Sequence, residues 1–254
     1  MQTAERVSDI DKSDNFVYQR SRLAYLEAEK LISGKVLEVG SGMGYGMEIL
    51  SPKAAEYVML DKFQFDLSRI KNPEKVKFIQ CNVPPFTGIA DNTFDFVVTF
   101  QVIEHIKPDA EFVKEIHRVL KPGGKLIVTT PNIKMSLSRN PWHIREYRVE
   151  QLRDLLKKSF ATVATNGVFG GKAAMDYYEK NRASVNKIMR FDIFKMQWWL
   201  PRQILQIPYD YMNRKNRKKL LAQNDSLTSA LTTNDFYVAE ANDQCLDLFY
   251  IATK

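Results

Sequence analysis

Along the first two thirds of the chain, short apolar runs alternate with amphipathic stretches, and the pattern predicts strands and helices in succession. From Asp14 to Ser33, Phe16, Leu23, Leu26 and Leu31 fall on one broad face at helical spacing, and Gly34 supplies a stop. KVLEVG, an apolar run with a single acid, predicts a buried strand, and GMGYGMEILS opens a helix directly after it. AEYVMLD predicts a second strand ending on Asp61, KVKFIQCN a third ending near Asn82, and FDFVVTF a fourth. Ala110 to Leu120 is an amphipathic helix stopped by Lys-Pro-Gly-Gly, and KLIVTTPN is a fifth strand. Strands separated by helices of this length imply a parallel sheet, because parallel neighbours need crossover connections.

Beyond Asn132 the pattern changes. Glu150 to Phe160 predicts a helix and Ala161 to Val168 a strand. From Lys172 to about Leu231 the chain turns helical, basic and aromatic, with Pro201 and Pro208 as expected interruptions. DFYVAE and CLDLFYIAT return to strand character. The expected organisation is one α/β domain over 1–254. Its parts are an N-terminal helix (14–34), a core (35–170), a helical insertion (172–231) acting as a lid, and final strands (235–254).

Composition narrows this little: 254 residues, 44% hydrophobic and 26% charged, describe an ordinary globular chain. No apolar run approaches the roughly 18 residues that span a bilayer, and the polar first residues do not read as a signal peptide. The two cysteines, Cys81 and Cys245, lack metal-ligand spacing and read as buried thiols of a reducing cytosol. The expected address is cytoplasmic, with room for contact at the inner face of the membrane. Charge is more informative. Ten Lys/Arg against two Asp lie between Asn181 and Leu220, which leaves 27 basic and 28 acidic residues elsewhere. The net charge of +7 therefore belongs to one local face.

The strongest chemical signal is VLEVGSGMGYG, a strand running into a glycine turn and then a helix. Glycines let a ligand approach the backbone, and a helix start offers unpaired N–H donors. The glycines read G-x-G-x-G rather than the G-x-G-x-x-G of dinucleotide sites. Glu38 sits inside the strand, where packing alone would not place a charge. Asp61, at the end of the second strand, is placed to accept hydrogen bonds from ribose hydroxyls.

With these motifs in order, the chain resembles the class I S-adenosylmethionine-dependent methyltransferases, in particular their type 11 or ubiquinone-methyltransferase-like branch, over about Tyr18 to Phe169 and the final strands. FDFVVTFQVIEHI and LKPGGKLIVTTPN match the fourth and fifth strand motifs. Where the family more often has Asp, Asn82 stands, and its carbonyl oxygen can still meet an adenine amino group. The resemblance implies an α/β fold with a Rossmann-like doubly wound sheet, mostly parallel with an antiparallel last strand. It implies S-adenosylmethionine as cofactor and S-adenosylhomocysteine as product. Glu38 would orient the loop and the methionine amino group. Gly40, Ser41, Gly42 and Gly44 would line the methionyl end with Tyr45 close by, Asp61 would hold the ribose, and Asn82 and Val83 the adenine. Gln101 would face the sulfonium and the acceptor.

A hydroxyl acceptor also needs its proton removed. His117, within a helix, reads as a packing residue. His105 follows Glu104 after the fourth strand, where it could act in catalysis or shape the loop. His143, with Glu146 three residues on, could form an oriented base; equally, Glu146 could cap the helix starting near Val149. Glu104 and His105 are both metal-ligand types, but no third ligand is evident in the sequence, and no metal is expected. For residues 190–221, with Trp198 and Trp199 near Arg202 and then Arg214, Lys215, Arg217, Lys218 and Lys219, three readings stand. They are a lid whose aromatics pack on the core while its lysines are solvated, a contact with an anionic membrane, and a nucleic-acid surface. The local charge and the absence of any RNA-binding module disfavour the third.

The expected function is methyl transfer to an oxygen of a small-molecule, glycan or lipid-linked acceptor. An NAD-dependent oxidoreductase is disfavoured by the glycine spacing and Glu38. A non-catalytic module acting through its basic insertion is disfavoured by the intact cofactor positions.

Overall fold

The computed structural model describes residues 10–190 and 196–254. The elements follow the order α1 (Asn15–Glu29), β1 (Lys35–Val39), α2 (Tyr45–Leu50), β2 (Glu56–Asp61), β3 (Val76–Gln80), β4 (Phe94–Phe100), α3 (Asp109–Val119), β5 (Leu120–Pro131), α4 (Val149–Lys157) and β6 (Thr162–Gly170). Then come α5 (Lys172–Met189), α6 (Met196–Trp199), α7 (Arg202–Gln223) and α8 (Asp225–Ala230), followed by β7 (Phe236–Glu240) and β8 (Asp247–Thr253).

All eight strands join one sheet in the order β3-β2-β1-β4-β5-β8-β6-β7. The first five pair in parallel. As expected, the last strand, β8, is antiparallel, lying between β5 and β6. The edge strand β7 also runs antiparallel to its neighbour β6. Because each strand projects alternate residues to opposite faces, the sheet builds two cores. Leu37, Val39, Val58, Leu60, Val97 and Val128 face α3 and α4, while Val36, Met59, Val98 and Ile127 face α1 and α2. The order reverses between β1 and β4, so their connections leave in opposite directions and open a crevice at the carboxyl ends of the strands.

Some expectations needed correction. α1 ends at Glu29, which breaks the helical period, so Leu31 is exposed and Ile32 takes its place in the core. Pro201 does precede a helix, but Pro208 does not interrupt one: α7 continues through it. The ring lies on the exposed side of α7, where water can meet the carbonyl that loses its N–H donor. The aromatics of the insertion do not all pack inward. Tyr177 stacks on Phe16 with centroids 4.7 Å apart, whereas Trp198 and Trp199 are each 64% exposed. The lysines of the basic cluster, Lys215, Lys218 and Lys219, are exposed as expected of a lid, but its arginines are not. Arg214 and Arg217 donate to the buried Asp14 carboxylate at 2.8 and 2.7 Å, because a buried carboxylate needs paired charge. Phe191 to Lys195 of the basic aromatic segment lie outside the described residues.

Candidate active site

Five strand ends meet at the carboxyl edge of the sheet, and the glycine loop after β1 occupies its centre. Gly40 N–H donates to the Leu60 carbonyl at 2.7 Å, which ties the loop to β2. Asp61 closes the tie from the other side: its two carboxylate oxygens accept from Gly42 N–H at 2.8 Å and Phe63 N–H at 2.9 Å. Each oxygen keeps a further lone pair for a ligand hydroxyl. Gly42 holds φ at 53° and its missing side chain would point into open space, so a ligand can lie against the backbone there. Ser41 is buried, and its hydroxyl finds no partner among the described residues.

Glu38 lies beneath this loop. Its carboxylate accepts the Tyr25 hydroxyl at 2.9 Å and the Tyr57 hydroxyl at 2.7 Å, and it is 1% exposed. Burial pushes its pKa up to about 7, against the pull of the two tyrosine hydroxyls. A side chain at Gly46 would strike both this carboxylate and the Tyr25 ring, so α2 sits directly on the Glu38 cluster. Tyr25 and Tyr57 escaped the sequence reading because each looks like an ordinary core aromatic in its own element.

Tyr45 opens α2 and meets Tyr18 edge-on, with centroids 5.8 Å apart. Asn82 is exposed just past β3, and Val83 beside it packs against the core. Gln101 follows β4 with φ at 57°, a left-handed conformation uncommon for glutamine. Its N–H donates to the Thr129 carbonyl at 3.0 Å and its amide to the Thr129 hydroxyl at 3.3 Å.

The histidines gather on the β4–β5 side. His143 Nδ1 donates to Glu146 at 2.7 Å, and Asn140 Nδ2 donates to His143 Nε2 at 2.9 Å. That pairing sets the tautomer, since an amide N–H requires an acceptor. Glu146 also accepts from the Ser136 hydroxyl. It does not cap the next helix, whose N-cap is Arg148, with Gln151 returning to its backbone at 2.9 Å. His105 Nδ1 donates to the Trp142 carbonyl at 2.9 Å, and its ring meets that of His143 edge-on at 5.0 Å. Glu104 is fully buried and accepts from Thr130 Oγ1 at 2.9 Å, while its carbonyl receives Ile144 N–H at 2.7 Å. His117 packs on the Phe160 ring, as a structural histidine should.

Asp247, at the start of β8, was also missed. It is buried, 2.9 Å from Arg20 Nε. Burial raises its pKa, while Arg20, the Gln101 amide and His143 oppose the rise. Neither residue carries a motif, so only the sheet order reveals the pair. The insertion clasps this region: Trp142 Nε1 donates to Asp210 at 3.0 Å, Tyr178 to the Met135 carbonyl at 3.0 Å, and Arg139 to the Gln197 carbonyl at 2.5 Å.

The chain is similar to known proteins in sequence and in fold. A family profile described as a methyltransferase domain matches residues 37–128. A probable S-adenosylmethionine-dependent methyltransferase of Mycolicibacterium smegmatis is 30% identical over 264 residues, 99% of this chain and 94% of its own length. The ubiquinone biosynthesis O-methyltransferase of Proteus mirabilis is 26% identical over 54% of this chain and 57% of its own. Among solved structures, a possible histamine N-methyltransferase from Thermotoga maritima superposes with a TM-score of 0.55 at 18% identity, covering 94% of this chain and 92% of its own. A phosphoethanolamine N-methyltransferase of Haemonchus contortus in complex with S-adenosyl-L-methionine gives 0.53 at 18% identity, over 93% of this chain and 52% of its own.

Proposed function

Because the chain belongs to the S-adenosylmethionine-dependent methyltransferases, we propose that it transfers the methyl group to an oxygen of a small-molecule, glycan or lipid-linked acceptor. The observation that carries this reading is the His143–Glu146 pair, an oriented proton acceptor at the carboxyl edge of the sheet. When bound, the cofactor supplies a methyl group already electrophilic on its sulfonium. The cradle fits it: open space at Gly42, the orphaned Ser41 hydroxyl and the spare lone pairs of Asp61 suit a polar, hydroxyl-bearing ligand.

In this reading Gly40, Ser41, Gly42 and Gly44 line the methionyl end, with Tyr45 and Tyr18 at its mouth. Asp61 takes the ribose hydroxyls, and Asn82 and Val83 border the adenine. Glu38 serves the loop through Tyr25 and Tyr57 rather than by exposing its carboxylate. Gln101, held by Thr129, faces both the transferred group and the acceptor. The acceptor hydroxyl lies against His105 and His143. Its proton passes to His143 Nε2 in place of the Asn140 amide contact, while Glu146 holds Nδ1 and stabilises the imidazolium formed.

His143→Ala therefore lowers kcat by about 10²–10⁴-fold, the usual worth of a positioned acid–base group, and leaves S-adenosylhomocysteine affinity unchanged. Steady-state kinetics with the true acceptor and calorimetry together check this; unchanged turnover would remove His143 from the mechanism.

A lipid-linked acceptor is favoured by the outer face of α6 and α7. Trp198, Trp199, Ile204, Ile207 and Tyr211 are all exposed, with Ile207 at 74%, and Lys215, Lys218 and Lys219 continue the same face. Apolar side chains followed by lysines suit the headgroup region of an anionic bilayer. Among the described residues no helix is long and apolar enough to cross a membrane, so the contact would be peripheral. The protein should sediment with vesicles containing phosphatidylglycerol and not with neutral ones, and Trp198→Ala/Trp199→Ala should lower that binding at least tenfold. Equal binding of parent and variant would leave α6 and α7 as a lid alone.

A further inference from the structure

The fold brings together what the sequence separates: His143 joins Glu104 and His105, each offering a ligand atom, and the three atoms lie within 4.8 Å of one another. We propose that Glu104, His105 and His143 bind one divalent cation of the zinc, manganese or cobalt kind on the acceptor side of the site.

Distance is the first argument. Bonds of about 2.0–2.2 Å from a metal to imidazole nitrogen and carboxylate oxygen set ligand atoms roughly 3–4 Å apart. A modest contraction of three side chains therefore closes them around an ion.

Orientation is the second. Metal-bound histidines hand their other ring N–H to a carboxylate or carbonyl, which fixes the tautomer and raises the basicity of the ligating nitrogen. Both histidines do this here: His143 Nδ1 faces Glu146 and His105 Nδ1 faces the Trp142 carbonyl. The Nε2 atoms would be the ligating ones, the ion displacing their present contacts, that of Asn140 to His143 among them. The carboxylate is oriented as well, by Thr130 Oγ1. Backbone bonds from Ile144 and Arg145 N–H to the Glu104 carbonyl, at 2.7 and 3.3 Å, lock the two contributing loops together.

Ligand chemistry selects the ion. Two imidazoles with one carboxylate suit borderline transition metals, whereas magnesium and calcium prefer oxygen donors. Three protein ligands also leave coordination positions open. This deepens the proposed function, whose acceptor hydroxyl lies at the same cluster: an ion there lowers the pKa of a hydroxyl beside it. With the ion bound, His143 Nε2 is a ligand and no longer takes the proton; the hydroxyl, its pKa lowered by the ion, releases its proton to solvent, and Glu146 positions His143.

Binding can be measured without the acceptor, so its outcome is separate from that of the methyl-transfer reading. Chelator-treated full-length protein is titrated calorimetrically with zinc chloride or manganese chloride alone. One saturable site is expected. His105→Ala and His143→Ala should each weaken it at least tenfold, and Glu146→Gln about 10–100-fold, as removal of an outer partner does. Cys81→Ser should leave it unchanged, which separates the site from the half-buried thiol. Retained S-adenosylhomocysteine binding reports that each variant is folded. No saturable binding, or binding indifferent to both histidine substitutions, would overturn the proposal. The acid–base role of His143 would then still be read from the pH profile of kcat in the metal-free enzyme.

Discussion

Glu38→Ala should lower the free energy of unfolding by about 3–5 kcal/mol, the largest stability effect expected of any single side chain around the cofactor loop. The substitution leaves the Tyr25 and Tyr57 hydroxyls buried without the acceptor they share. Each such orphan costs about 1–3 kcal/mol, and the lost side-chain volume adds a cavity beneath α2. Urea unfolding at about pH 4.5, where the contribution of Glu38 is full, measures the loss directly; a change below about 1 kcal/mol there would show that the cluster relaxes around the gap.

The same residue carries a pH signature of defined sign. Its carboxyl titrates at about 7 in the folded protein against an ordinary 4.5. The folded state thus holds this proton more tightly than the unfolded chain. The stabilisation from Glu38 is full below about pH 4.5 and is lost as the pH rises to about 7. Over that window the loss amounts to about 3 kcal/mol, since each tenfold difference in proton affinity between the folded and unfolded states is worth roughly 1.4 kcal/mol. Glu38→Gln cannot ionise and should remove this part of the pH dependence. Identical pH–stability curves for parent and Gln variant would refute the assignment.

Asp61→Ala should weaken S-adenosylhomocysteine binding by about 10²–10⁴-fold. Hydrogen bonds to a charged group contribute roughly 1.5–3 kcal/mol each, and the proposed role gives Asp61 two ribose hydroxyls. A second loss comes from the loop itself, since Gly42 N–H is released from Oδ2. Calorimetry with S-adenosylhomocysteine reads the sum. Asp61→Asn, which keeps one acceptor oxygen, should fall between parent and Ala variant. Unchanged affinity in the Ala variant would move the ribose elsewhere along the edge.

The strands and the glycine loop were legible because their signals are local. A buried strand needs an unbroken apolar run, a tight turn against a ligand needs glycine, and the carboxylate after β2 follows at a spacing set by one helix and one strand. The same locality explains the errors. Leu31 belongs to the helical period only if the helix lasts long enough to include it, and α1 stops at Glu29. For Trp198 and Trp199 the sequence left packing on the core and exposure both open, because burial depends on whether another element arrives to cover them; both are exposed. Nothing local in the basic run of α7 shows that two of its arginines are spent on Asp14, roughly 200 residues earlier in the chain.

By itself, then, the sequence determined the parallel sheet, the glycine loop with Glu38 beneath it and Asp61 beside it, and through them the family of reactions. Each of these is encoded within one or two consecutive elements. Tertiary structure alone decided which side chains meet. It set Tyr25 and Tyr57 on Glu38, placed Arg20 against Asp247, and drew His143 to Glu104 and His105. Those pairings depend on strand order and crossover direction, which bring distant segments to one edge of the sheet; no spacing along the chain encodes them.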